Sequence, residues 1–446
     1  MRRSNAPPPL SAPLTTGDLA IDRLGACGVQ SPLEVRDLLV DEGDAVLVHS
    51  DARDLAPYLS PGGELPFFEP AGARPRLFFD PSRVVAGVVT CGGLCPGVND
   101  VIRSILLTLK FAYGTERLLG FRFGYSGLSR EPSDPPLELS MERVRRIHDD
   151  GGTILGSSRG APTVPEMVDS LVRHGVNMLF TVGGDGTLRG AAALAEEISA
   201  RKLDIAVVGI PKTIDNDLHW VERTFGFATA VEEASRAISG AHVEAEGAFN
   251  GVGLVKLMGR HSGFIAAHAS VANSDVNFCL VPEVTLALDG PAGFLGALET
   301  RLADSRHAVV VVAEGAGQDL VEAEAAGATD ASGNLRLRDI GSFLKHRIEA
   351  HFSKRSIPLT LKYIDPSYIV RSLPANAYDS ALCLMLGQHA VHAAMAGRTN
   401  LLIGYWNQRF THVPLVLATR GRKELDPRGE LWQAVLGATG QPARWS

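Results

Sequence analysis

Three glycines surround one aspartate in "TVGGDGTLRGA", residues 181–191, directly after the apolar run "NMLFTV". Glycine lets backbone N–H groups approach an anion that a Cβ would hold off, and a following helix points its positive end at the same place. The stretch therefore suits a phosphate, while a buried tight turn would use the same glycines. "CGGLCPGVND" after "VVAGVVT" repeats the choice between a phosphate-cradling loop with Gly92, Gly93, Pro96, Gly97 and Asn99 and a plain strand-to-helix turn. "GGTILGSSRG" offers Arg159, a planar cation for phosphate or base, or else a solvated loop arginine.

"GIPKTIDNDLHW" places Asp215 and Asp217 on either side of Asn216, with Lys212 and Thr213 ahead of them. In an extended segment a spacing of two puts both carboxylates on one side, so one can take a hydroxyl proton while the other orients a partner or a metal-bound water. The alternative is an Asx-type turn capping a helix. Further on, "KLMGRHSGF" supplies Arg260, "AEGAGQD" supplies Glu314, and "LKYIDPSYIVRS" supplies Lys362, Tyr368 and Arg371. Cations with a carboxylate and hydroxyls are what a sugar phosphate requires. His261 beside Arg260 reads as a packing or supporting residue rather than a base.

The elements that must carry these residues are near-continuous apolar runs: "VVAGVVT", "NMLFTVGG", "DIAVVGIPK", "GVGLVKLMG", "VNFCLVPE" and "HAVVVVAEG". Such runs belong to parallel strands buried on both faces. Between them, "DVIRSILLTLK", "LRGAAALAEEISARK", "AVEEASRAISGA" and "SGFIAAHASVAN" have helical spacing. The pattern is repeated βα, an α/β fold, and the polar residues cluster at the C-terminal ends of strands, where open parallel sheets bind ligands. Residues 1–15 are Pro/Ser/Ala-rich and read as disordered, residues 16–80 as an appended segment, and residues 320–334 as a surface insertion.

A chain of 446 residues suits two or three α/β units. Its net charge of −7 gives no general attraction to nucleic acid or an anionic membrane, and no apolar run reaches bilayer length, so a cytoplasmic protein is expected. Five cysteines make no disulfide framework, and the pair Cys91 and Cys95 lacks the two further ligands a zinc site would need.

In order along roughly residues 75–420, the stretches "CGGLCPGVNDVIR", "GGTILGSSRG", "GGDGT", "PKTIDND", "KLMGRHSGFIA", "AEGAGQD" and "KYIDPSYIVRSLPANAYD" resemble those of the 6-phosphofructokinases. They are most similar to the plant and trypanosomatid ATP-dependent branch, itself related to the pyrophosphate-dependent enzymes. The resemblance implies phosphorylation of fructose 6-phosphate at its 1-hydroxyl, a step of glycolysis, in a cytoplasmic homotetramer, with ATP as donor and Mg²⁺ as cofactor. It implies two doubly wound, Rossmann-like parallel-sheet domains with the active site in the cleft between them, plus an N-terminal extension over residues 1–80. The donor domain would comprise residues 81–226 and 370–420, and the fructose 6-phosphate domain residues 227–369 and 421–446.

Carried over residue by residue, the resemblance makes Asp215 the general base, with Gly186 and Lys212 in the catalytic set, and Asp185 the metal ligand. Gly92, Tyr125, Arg159, Gly160, Gly184, Asp185, Gly186 and Thr187 would line the donor site. Thr213, Ile214, Asp215, Met258, Gly259, Arg260, Glu314, Lys362, Tyr368 and Arg371 would hold the sugar phosphate. Short bacterial members differ at the positions of Leu94, Lys212 and Gly251, so their effector sites do not transfer. Pyrophosphate enzymes share Lys212 but carry an aspartate at the position of Gly186, where it would displace and repel a nucleotide's α-phosphate; glycine here favours ATP. "GGDGT" also occurs in NAD and lipid kinases, but "PKTIDND" and "KLMGR" have no place there. A non-catalytic subunit would be expected to lose Asp185, Asp215 and Asp217, all of which are present.

Overall fold

The computed structural model describes residues 14–33, 39–59, 63–158, 160–321 and 337–446. It divides into two compact units, each assembled from three stretches of chain. The first takes the described residues up to Thr213, then Leu218–Phe225 and Pro374–Arg422; the second takes Ile214–Asp217, Gly226–Leu373 and Lys423–Ser446.

The first unit is built on nine strands in the order Val46–Leu47, Phe67–Pro70, Arg409–Pro414, Leu401–Trp406, Ala206–Pro211, Met178–Gly183, Ala86–Thr90, Leu118–Phe121 and Leu137–Leu139. The five from Leu401–Trp406 to Leu118–Phe121 are parallel, and the pairings beyond them on both sides are antiparallel. Every residue of Ala86–Thr90, Met178–Gly183 and Ala206–Pro211 is buried, which is why their sequences run apolar without alternation. Helices Val98–Tyr113 and Ala377–Met395 pack together, with the Ser104 hydroxyl donating to Leu384 O at 2.6 Å. Gly97 opens the first of these helices at φ 97°, and a Cβ there would come within 2.5 Å of Cys383 Sγ, so both conformation and space demand glycine.

The segment before residue 80 is part of this unit, because two of its short strands, Val46–Leu47 and Phe67–Pro70, extend the sheet by antiparallel pairing. A buried charge cluster fixes it. Glu69 Oε1 accepts from Arg74 Nη2 and Arg398 Nε, each at 3.0 Å, and lies 3.2 Å from His412 Nδ1. The two guanidiniums are 2% and 1% exposed; Glu69 is the ion-pair partner of Arg74 and shares Arg398 with Glu42, whose Oε1 lies 2.8 Å from Arg398 Nη2. Burial alone would raise the Glu69 pKa, but the His412 hydrogen bond and the neighbouring charges hold it far below the ordinary carboxylate range. Burial also lowers the His412 pKa, leaving the ring neutral at pH 7 and the compensation to the arginines.

Replacing Glu69 with Gln is expected to cost about 3–5 kcal/mol in urea unfolding at pH 7, because the buried Arg74 loses its carboxylate partner and Arg398 keeps only Glu42. A folded-state carboxylate with a depressed pKa stabilises fully above its unfolded value near 4.5 and loses that contribution as pH falls through the folded value. The gap between parent and Glu69→Gln should therefore narrow on acidification; a gap of under about 1 kcal/mol at pH 7 would show that the cluster is not stabilising.

The second unit has four parallel strands in the order Phe278–Leu280, His307–Ala313, Gly251–Leu257 and Thr360–Ile364. Helices Phe227–Glu246, Phe264–Ala272, Phe294–Ser305 and Ile340–Lys354 accompany them, and Phe278, Phe294, Val310, Leu344 and Trp445 lie in one core cluster. The six strands and four helices anticipated from apolar spacing are all present, and the fold is α/β.

Candidate functional site

In the first unit, chemistry-bearing residues gather at the ends of three adjacent parallel strands. After Met178–Gly183 the chain turns at Gly184 straight into helix Asp185–Ala200, so Asp185 sits in the first helical turn, where backbone N–H groups favour negative charge. Its Oδ2 lies 2.7 Å from Arg189 Nη1 and 3.5 Å from Arg422 Nη2. Its Oδ1 is buried with no hydrogen-bond partner among the described residues. Thr187 N donates to Gly184 O at 2.9 Å, and the buried Tyr125 hydroxyl donates to Thr187 O at 2.7 Å, bracing the turn. Gly186 is exposed, and a Cβ built on it would meet nothing within 4 Å.

Lys212 follows the next strand, Ala206–Pro211. Its backbone N donates to Gly183 O at 3.0 Å and its buried Nζ to Gly93 O at 2.6 Å, so one side chain straps the Gly92–Gly93 turn to the neighbouring strand ends. Gly92 adopts φ 83°, and Ser157 donates its hydroxyl to Gly92 O. Gly160 is exposed at φ 92°; Arg159 lies outside the described residues. Cys91 packs beneath this loop, where burial pushes its thiol up to about 12. Gly92, Tyr125, Gly184, Asp185, Gly186, Thr187 and Lys212 thus share this edge of the sheet.

The second unit gathers the sugar-side candidates. Ile214–Asp217 is a bend, with Asn216 at φ 53°. The extended alternation that would set Asp215 and Asp217 on one side therefore does not hold; asparagine tolerates the left-handed conformation and redirects the chain between them. Ser262 Oγ donates to Asp215 O at 3.1 Å, and Lys423 N to Asp217 O at 2.9 Å. Thr213 closes the first unit's strand end, its carbonyl accepting from Thr224 Oγ1 at 2.7 Å.

Met258, Gly259 and Arg260 leave the end of Gly251–Leu257, where Gly315 N donates to Gly259 O at 3.1 Å and Glu314 N to Leu257 O at 2.9 Å. Burial raises the Glu314 pKa above its ordinary value, opposed by the charges of Arg260, Lys256 and Arg371 and reinforced by Asp365. One carboxylate therefore sits within the field of three cations. Lys256 Nζ pairs with Asp365 Oδ2 at 2.7 Å, and the Arg371 guanidinium lies 4.9 Å from the ring centroid of Tyr368, itself 75% exposed. Lys362 does not join them. It pairs with Gly253 in mid-strand, about five residues, or roughly 16 Å, short of Met258. Its ammonium lies 3.9 Å from Glu244. Lys256, Asp365 and Arg189, which lie inside the quoted stretches without being singled out there, and Arg422, which lies outside them, belong to the two groups.

The phosphofructokinase family profile matches residues 85–394, and the chain belongs to that family. It is 50% identical over 440 residues to "ATP-dependent 6-phosphofructokinase" of Amycolatopsis methanolica, covering 96% of both chains. It is 48% identical over 433 residues to "ATP-dependent 6-phosphofructokinase" of Trypanosoma brucei brucei, covering 96% of this chain and 88% of that one. With "ATP-dependent 6-phosphofructokinase 1" of Arabidopsis thaliana it shares 47% over 416 residues, 92% and 85% of the two chains. Among solved structures, the pyrophosphate-dependent phosphofructokinase of Marinobacter aquaeolei superposes with a TM-score of 0.66 at 18% identity, over 81% of this chain and 93% of that one. Pichia pastoris phosphofructokinase in the T-state superposes with a TM-score of 0.62 at 22% identity, over 81% of this chain but 40% of that chain. At these identities the likeness concerns the fold. Among the described residues no helix is long and apolar enough to cross a membrane.

Proposed function

We propose that this protein is an ATP-dependent 6-phosphofructokinase. The observation that carries the donor assignment is Gly186: in the first turn of a helix, beside Asp185, any side chain would project into open space that a nucleotide's phosphates need. The ATP-dependent relatives at about half identity over nearly the whole chain support the same reading.

Asp215 takes the proton of the 1-hydroxyl as its oxygen attacks the γ-phosphorus; the bond from the γ-phosphorus to the β,γ-bridging oxygen breaks, and ADP leaves. Asp185 fits Mg²⁺, since it keeps a buried oxygen without a hydrogen-bond partner among the described residues, and one carboxylate plus substrate phosphates is a usual way of holding that ion. When bound, Mg²⁺ would neutralise charge on the donor phosphates. Gly92, Tyr125, Arg159, Gly160, Gly184 and Thr187 shape the donor side, with Lys212 keeping the Gly92 turn in place. Thr213, Ile214, Met258, Gly259, Arg260, Glu314, Tyr368 and Arg371 take fructose 6-phosphate: arginines for the 6-phosphate, Glu314 for sugar hydroxyls. Lys362 has no part in the reaction on this reading.

The donor half is assigned to residues 81–226 and 370–420 and the sugar half to 227–369 and 421–446, in a cytoplasmic homotetramer serving glycolysis. A coupled assay should give fructose 1,6-bisphosphate with Mg-ATP and little with Mg-pyrophosphate. Activity with pyrophosphate alone overturns the donor; activity with neither overturns the reaction.

A further inference from the structure

A cavity of about 790 Å³ lies in the first unit, lined among others by Leu47, His49, Arg223, Tyr405, Asn407 and Arg409. Its place along the sheet separates it from the donor loops. Tyr405 lies at the end of Leu401–Trp406, on one side of Ala206–Pro211, whereas Gly184–Thr187 follows the strand on the other side. The Lys212–Thr213 segment stands between them.

Each wall has a structural cause. Asn407 and Gln408, at φ 47° and 60°, form the two-residue turn between strands paired at Trp406 and Arg409, and the twist of that hairpin places Arg409 at the mouth. Asn407 N donates to Glu222 Oε1 at 2.9 Å and Asn407 Nδ2 to Leu47 O at 2.7 Å, binding turn, back wall and extension into one frame. Arg223 donates to the Tyr378 hydroxyl with its guanidinium 5.5 Å from the centre of that ring, so its direction is set in advance. His49 stacks on Tyr58 at 5.7 Å. Among the described residues neither Arg223 nor Arg409 forms an ion pair with a carboxylate.

We infer that this cavity binds a small organic phosphate, a phosphate monoester whose dianion meets Arg223 and Arg409 while its organic part lies against Tyr405 and the Ala45–Leu47 wall. Two guanidiniums lining one cavity, one of them oriented by Tyr378, suit the planar, multidentate recognition of phosphate oxygens. The volume falls within the range of small-molecule sites and exceeds what a bare phosphate fills. Glu222 also lines the cavity, with its Oε1 accepting from Asn407 N; against this one carboxylate the two arginines leave a local attraction for an anion in a chain of net charge −7.

The test is calorimetric titration of the full-length protein, its catalytic site saturated with fructose 6-phosphate and a non-hydrolysable Mg-nucleotide. The titrants are ribose 5-phosphate, uridine 5′-monophosphate and inorganic phosphate. Saturable binding of one ester is expected, weakened about tenfold or more in both Arg409→Glu and Arg223→Ala. Tighter binding of the nucleotide would assign the Tyr405 face to a base, and tighter binding of ribose 5-phosphate would assign it to a sugar. Arg409 is exposed at a hairpin turn, so Arg409→Glu should keep the parent's unfolding midpoint and kinetic constants. No saturable binding, binding indifferent to both substitutions, or inorganic phosphate binding as tightly as the better ester would overturn the inference.

Discussion

Asp215→Asn is expected to lower turnover by about 10²-fold or more while leaving the KM for fructose 6-phosphate within about threefold, the signature of a lost general base. The substitution keeps shape and hydrogen-bonding capacity but removes the lone pair that takes a proton at neutral pH. Asp215 is half-buried in the bend that Asn216 turns, and Ser262 holds its carbonyl, so the amide would occupy the same frame. Turnover within tenfold of the parent would remove Asp215 from that role. A collapse in thermal stability would be a different result, and circular dichroism separates the two.

Gly186→Asp is expected to raise the KM for Mg-ATP by about 10²-fold with the folded state intact. At an effective dielectric of about 20, two like charges about 5 Å apart repel by about 3 kcal/mol, which corresponds to that factor. The protein itself has nothing within 4 Å for a Cβ to strike, and aspartate in the first turn suits the helix better than glycine does. Any loss therefore reports on the nucleotide. Pyrophosphate, lacking an α-phosphate and nucleoside, should suffer much less. An unchanged KM for ATP would mean that the donor phosphates do not pass this turn.

The inner strands were legible because burial on both faces forces unbroken apolar runs, as in Ala86–Thr90 and His307–Ala313. The sheet's margin was not. Val46–Leu47 and Phe67–Pro70 are too short to show a period, and the hairpin at 401–414 turns on Asn407–Gln408 rather than a glycine-bearing pair. Local motifs marked Asp185 and Gly186 because their chemistry depends on immediate neighbours. Strand alternation does not extend through Asp215 and Asp217, because one left-handed residue between them, Asn216, resets the side-chain direction. Lys362 shares one sequence stretch with Tyr368 and Arg371, yet strand register sets it opposite Gly253, several residues short of Met258. Lys256 and Asp365, 109 residues apart, become partners only because Gly251–Leu257 pairs in parallel with Thr360–Ile364, the strand that Asp365 directly follows.

The five changes of unit along the chain, at Thr213, Asp217, Phe225, Leu373 and Arg422, have a genetic consequence. No single cut in the gene separates either unit as a continuous reading frame, and an exchange of one unit between relatives would need all five junctions at once. Recombination by a single crossover can only deliver mixed units, so the two must diverge mainly by point substitution within one inherited frame.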